Sequence, residues 1–130
     1  MTGKSIEIVH SECAPPVIGP YSQAIKTHGL LFCSGQIPAL QDGTLVTTSI
    51  GEQTKTCLDN LRHVLEAGNS CLEKVVKITV FLSDMCHFEE FNKTYENIFG
   101  SHRPARSCVA VRGLPKGVDI EIECIAVEES

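Results

Sequence analysis

The 130-residue chain has no tryptophan, two tyrosines and two methionines, so it carries no evident aromatic stacking platform. Single-stranded nucleic acids are usually gripped by such platforms set in basic grooves. Basic charge is thin as well: 11 Lys and Arg stand against 16 Asp and Glu, a net charge of −5. The basic residues are scattered, and the closest group (Arg103, Arg106, Arg112, Lys116) brackets an apolar strand. Both facts argue against a nucleic-acid partner. No apolar run approaches the ~18 residues of a membrane-spanning helix. CxxC, HxxxH and HExxH are all missing, so neither a zinc ribbon nor a helical metal site is indicated, and no metal is expected. The segment Met1 to Ser5 leads straight into Ile6-Glu7-Ile8-Val9, with neither an export-signal core nor an Arg-rich presequence.

Cysteine is the residue in surplus, with seven at positions 13, 33, 57, 71, 86, 108 and 124. The count is odd and most lie in apolar runs. They read as small buried hydrophobes in a reducing compartment, and the cytoplasm is the expected location. An apolar content of 42% with 21% charged residues is ordinary for a globular chain. One domain over 1–130 is expected, burying roughly two-thirds of its unfolded surface.

Ile6 to Val9 alternates as a short strand. Cys13 to Tyr21 holds three prolines and a glycine and reads as irregular. Ala24 to Thr27 and Leu30 to Ser34 flank His28-Gly29, a hairpin turn; Gly35 to Pro38 ends that hairpin, and Gln41 to Thr44 is another turn. Ser49-Ile50-Gly51-Glu52 has the spacing of a capping box. Behind it Cys57, Leu58, Leu61, Val64 and Leu65 keep a spacing of three or four, predicting a helix over Ile50 to Ala67 closed by Gly68-Asn69. Lys74 to Leu82 is β-branched and reads as a central strand with Val76, Ile78, Val80 and Leu82 on one face. Ser83-Asp84 caps a second helix with Phe88, Phe91, Tyr95, Ile98 and Phe99 on its apolar stripe, Tyr95 and Phe99 being read as core, and Gly100 stops it. Two strands follow, Ser107 to Arg112 and Val118 to Val127, read as a hairpin.

The order β-ββ-α-β-α-ββ predicts an α+β domain: a mixed six-stranded sheet with two helices on one face. The last strand divides its residues. Val118, Ile120, Ile122, Cys124 and Ala126 point one way, and Asp119, Glu121, Glu123, Ile125 and Val127 the other. If the first set meets the helices, the second leaves large aliphatics uncovered, which predicts burial against other copies under closed cyclic symmetry.

Arg103-Pro104-Ala105-Arg106-Ser107-Cys108 is the most informative stretch. Pro104 stiffens the lead-in to the strand, and Arg106 and Cys108, two apart, share one of its faces. A planar, permanently charged fork on a rigid element suits a small carboxylate or phosphate. The same hexapeptide also suits a surface arginine paired with an acidic neighbour.

Six segments in order resemble the RidA (YjgF-type) family: Ile18 to Ala24, Ser34 to Pro38, Leu58 to Leu61, Phe91 to Tyr95, Pro104 to Val109, and Leu114-Pro115-Lys116 through Ile120 to Val127. Together they span nearly all of the chain beyond the first ten residues. The resemblance implies a chorismate-mutase-like α+β fold and a homotrimer around a central β-barrel, with sites between subunits. It implies hydrolysis of reactive 2-imino acids (2-iminobutanoate, 2-iminopropanoate) to 2-oxo acids and ammonia, without metal or cofactor, protecting pyridoxal-phosphate enzymes from imine damage. The family's carboxylate-binding arginine falls on Arg106, and its other site positions on Tyr21, Ser34, Gly35, Asn92, Cys108, Ile120 and Glu121. Arg103 departs from the aromatic residue that often stands there, and alters charge near the pocket mouth. An endoribonuclease that inhibits translation, also attached to the family, and a non-catalytic carboxylate-binding trimer are the competing readings.

Residue chemistry allows the first reading. Arg106 can fix a carboxylate in position and plane, and Glu121, expected on the strand beside it, can orient water and carry a proton. Gly35 lets backbone approach a ligand closely, and Tyr21 can donate a hydrogen bond. Plainer readings stand beside these. Glu121 and Glu123 can be sheet-face carboxylates paired with Arg106 or Arg112, Tyr21 can simply pack its ring, and Asn92 can be a solvated polar position. Cys108 has no histidine nearby in sequence, and it suits a pocket lining better than a nucleophile.

Overall fold

A computed structural model describes residues 5–129. Met1 to Lys4, most of the segment read as lacking an export signal, lie outside the described residues. The elements run β1 (Glu7–Val9), β2 (Ala24–Thr27), β3 (Leu30–Gln36), α1 (Ile50–Ala67), β4 (Val75–Leu82), α2 (Phe88–Phe99), β5 (Ala105–Ala110) and β6 (Ile120–Val127). They form one six-stranded mixed sheet in the order β1-β2-β3-β6-β4-β5. The α+β architecture is the one expected.

Local chemistry explains most boundaries. Ser49 accepts from the Glu52 N–H at 3.1 Å and starts α1, while the Gly51 N–H is taken by Glu90 Oε2 at 3.0 Å. The second donor is therefore satisfied from α2, which ties the two helices together. His28 and Gly29 both adopt positive φ, as a two-residue hairpin turn requires. At the end of α1 it is Asn69, not Gly68, that takes the left-handed conformation. Gly68 is needed for space, because a Cβ there would collide with Leu31 Cδ2. Asp84 caps a single 3₁₀ turn, Met85–His87, that leads into α2.

Both helices lie on one sheet face. Leu58, Leu61 and Leu65 of α1 and Phe91, Tyr95 and Phe99 of α2 bury into a single cluster with Leu31, Ile78, Val80, Ile120, Ile122 and Ala126. The alternation expected for β6 holds: Ile120, Ile122, Cys124 and Ala126 are buried, and Glu121, Glu123 and Ile125 are only half-buried. On that uncovered face Phe32 (43% exposed) pairs across with Ile125, and Val109 is 46% exposed.

Three expectations are corrected. β3 runs on through Gln36, with an irregularity between Cys33 and Gln36, so Gly35 and Gln36 lie within the strand rather than ending it. In β4 a register shift between Val75 and Lys77 turns Val75 into the core and leaves Val76 exposed. Most consequentially, β5 and β6 are not a hairpin. The crossover through α2 lays β5 parallel to β4, at the sheet edge, and β6 enters between β3 and β4. A helical connection is the ordinary way to join parallel neighbours.

Candidate functional site

The β5 register sets the first half of the site. Arg106 pairs with Ile78 and Cys108 with Val80, both core positions, so the guanidinium lies on the helix-covered face at the sheet edge. There Arg106 Nη1 donates to Asn92 Oδ1 of α2 at 2.7 Å. The guanidinium carbon lies 4.8 Å from the Tyr95 ring centroid, 5.4 Å from Phe91 and 5.8 Å from Phe88. Three rings and one amide hold the cation in place. Among the described residues no carboxylate comes within ion-pairing distance of it. Among the described residues, then, Arg106 is not spent on an acidic neighbour, as the plainer reading has it. Arg106, Asn92 and Tyr95 line a cavity of about 220 Å³ with Glu96, Arg103 and Pro104. Cys108 is half-buried on the same face. Burial pushes its thiol up, only partly offset by Arg106, so it stays protonated at neutral pH.

The second half lies elsewhere. Glu121 sits on β6, separated from β5 by β4, and faces the uncovered side of the sheet. The expectation that it stands on the strand beside Arg106 is therefore wrong for a single chain. β5 pairs with β4 rather than β6, and the two side chains leave opposite faces. Glu121 lines a larger cavity, about 810 Å³, with Tyr21, Ser34, Gly35, Lys116 and Glu123. A Cβ on Gly35 would lie 2.8 Å from Glu121 Cδ and 2.9 Å from Cγ, closer still to Oε2. The glycine thus makes room for this carboxylate. Burial, then the nearby Glu123 charge, raises the Glu121 carboxyl above its ordinary range.

Ser34 Oγ donates to the Ser22 carbonyl at 2.6 Å, tying β3 to the proline-rich loop. Tyr21 caps that loop and is half exposed. Ile120 is fully buried on the helix side, so its side chain belongs to the core and only its backbone faces the neighbourhood of Glu121. The sequence reading missed Gln23, which pins the loop. This buried amide accepts from the Ser11 N–H at 2.6 Å and donates to the Ser11 and Pro15 carbonyls at 3.2 and 3.0 Å. A lone glutamine directly after a loop crowded with prolines was the available signal. Among the described residues no three His, Cys, Asp or Glu side chains gather as a metal site would need.

A family model described as Endoribonuclease L-PSP matches residues 11–128. The chain belongs to this family, the RidA (YjgF-type) family. It is 50% identical over 117 residues to Protein HMF1 of Saccharomyces cerevisiae, covering 90% of this chain and 91% of that one. It is 41% identical over 121 residues to the chloroplastic Reactive Intermediate Deaminase A of Arabidopsis thaliana, covering 92% of this chain and 65% of the other. Among solved structures, E. coli TdcF with bound serine superposes with a TM-score of 0.90 at 35% identity, over 95% of this chain and 99% of that one. The family includes reactive-intermediate deaminases.

Proposed function

We propose that the protein is a 2-imino acid deaminase whose site is completed between copies of the chain. The supporting observation is Arg106, a guanidinium fixed by Asn92 and three aromatic rings, with no carboxylate among the described residues within ion-pairing distance of it. Such a group suits the acid end of a small substrate. The reaction also needs a proton carrier near the C=N carbon, and Glu121, whose carboxyl burial and then Glu123 raise above its ordinary value, is suited to that exchange. The two groups leave opposite faces of one sheet, so a working site needs Arg106 from one subunit and Glu121 from another. The uncovered face carrying Phe32, Ile125 and Val109 is the natural surface for that meeting. A homotrimer closed around these faces into a barrel is the assembly we infer.

In the mechanism, Arg106 and Asn92 orient the carboxylate of the imino acid. Glu121 takes a proton from water as the oxygen attacks the imine carbon, and returns it to nitrogen. Glu121 then carries a second proton from the new hydroxyl to the amino nitrogen, the C–N bond breaks as the C=O bond forms, and the 2-oxo acid and ammonia leave. Substrates of the size of 2-iminobutanoate and 2-iminopropanoate are proposed. All seven cysteines are unpaired, which agrees with a reducing compartment, and we place the protein in the cytoplasm.

The test is a coupled assay in which a threonine or serine dehydratase generates the imine and 2-oxo acid release is followed. Arg106→Ala is expected to abolish the protein's acceleration while its thermal transition and oligomeric state persist. A full rate in that variant contradicts the reading.

A further inference from the structure

Tyr95 reads as a core residue in the sequence, and its ring is one, stacked 5.5 Å from Phe91 and 4.6 Å from Phe99. Its hydroxyl does not fit that description. Among the described residues the Tyr95 oxygen is the one buried side-chain polar atom with no hydrogen-bond partner. A buried hydroxyl left without a partner is costly, and phenylalanine would fill the same space without that cost. Two features locate the ring that carries it. The residue lines the 220 Å³ cavity with Arg106, Asn92 and Arg103, and its ring lies directly under the Arg106 guanidinium at 4.8 Å.

We propose that Tyr95 is a substrate-binding residue: its hydroxyl donates to the acid end of the ligand that Arg106 holds, and its missing partner is that ligand. This rests on the carboxylate-binding reading of Arg106 above. The ligand class is a small monocarboxylate, because Arg106 is the one cation lining the cavity that is left for a single acid group: Arg103, the other, is already engaged by Glu96 at 3.5 Å. A tyrosine serves here where serine would not, since one side chain supplies both the face on which the cation rests and a donor beside it. Burial raises the phenol while Arg106 and Arg103 act against that rise. The balance keeps the proton on oxygen, so the group stays a donor at neutral pH.

The test is Tyr95→Phe in the full-length assembled protein, with 2-oxobutanoate as the probe in calorimetric titration and the coupled imine assay alongside. Phenylalanine keeps the ring under Arg106 and removes only the oxygen. The expected result is binding weakened roughly 10- to 100-fold, the span of one hydrogen bond to a charged group, with a thermal midpoint unchanged or raised. Unchanged affinity overturns the proposal. So does a lowered midpoint with normal affinity, which would show that the hydroxyl has a structural partner such as a trapped water or a neighbouring subunit. Arg106→Ala separates the two readings. If the wild type binds 2-oxobutanoate, Arg106→Ala does not and Tyr95→Phe does so normally, only the Tyr95 proposal falls. If the wild type itself neither binds nor turns over, both fall together.

Discussion

Gly35→Ala is the sharpest small perturbation the structure offers. The added methyl would sit 2.8 Å from Glu121 Cδ and 2.9 Å from its Cγ, distances that real carbon contacts do not show. The backbone cannot retreat easily, since Gly35 lies within β3 between residues paired with β6. The carboxylate of Glu121 can retreat, because it borders an open cavity. Overpacking costs ~1–3 kcal/mol, and a yielding side chain puts this case at the lower end, about 1 kcal/mol, or about 4 °C in thermal midpoint for a chain of this size. The catalytic consequence should be much larger. A general base moved by an ångström or more loses on the order of 10²-fold in rate. The coupled imine assay and differential scanning calorimetry, run on the same preparation, separate the two effects. A near-normal rate with a lowered midpoint would refute the reasoning, because the place of Glu121 would then be irrelevant to turnover.

Other expectations follow from the same geometry. Glu121→Gln removes a carboxyl whose folded-state pKa is raised. The ionised group opposes folding above that pKa, so the variant should be more stable than wild type at pH 7, and the difference should vanish as pH falls below the ordinary carboxylate range; a constant difference from pH 7 to 4 would contradict the shift. Gln23→Ala strips three hydrogen bonds from the proline-rich loop and should cost ~1–3 kcal/mol, with faster amide exchange at Ser11; equal exchange rates would show that the loop is held otherwise. Phe32→Lys places a charge on the uncovered sheet face and should shift the protein toward single subunits in sedimentation analysis, with loss of turnover. An unchanged assembly would remove that face from the interface.

Much of this architecture was legible in the sequence because its signals are local. The Ser49 cap and the three-four spacing behind it gave α1 its residue bounds, and strict alternation in β6 separated Ile120 and Ile122 from Glu121 and Glu123. What escaped depends on contacts distant in sequence. Whether β5 pairs with β4 or β6 is decided by the α2 crossover, and neither strand's own residues encode it. That one choice sends Arg106 and Glu121 to opposite faces. The β4 irregularity at Val76 was equally hidden, since Val75 and Val76 are the same residue type and only packing tells them apart. Gly35 was noticed for a different reason: it admits the side chain of Glu121, which no spacing rule predicts. The partnerless hydroxyl of Tyr95 can be seen only once its surroundings are known.

The central claim is that one copy supplies the cation and another the carboxylate, and mixing two inactive variants tests it most directly. Arg106→Ala and Glu121→Gln are each expected to be inactive alone. When equal amounts are unfolded together and reassembled, a cyclic assembly with shared sites pairs an intact Arg106 with an intact Glu121 at about a quarter of its interfaces. The account predicts recovery of about a quarter of the wild-type rate. A mixture as inactive as its components, with reassembly confirmed by sedimentation, would contradict it.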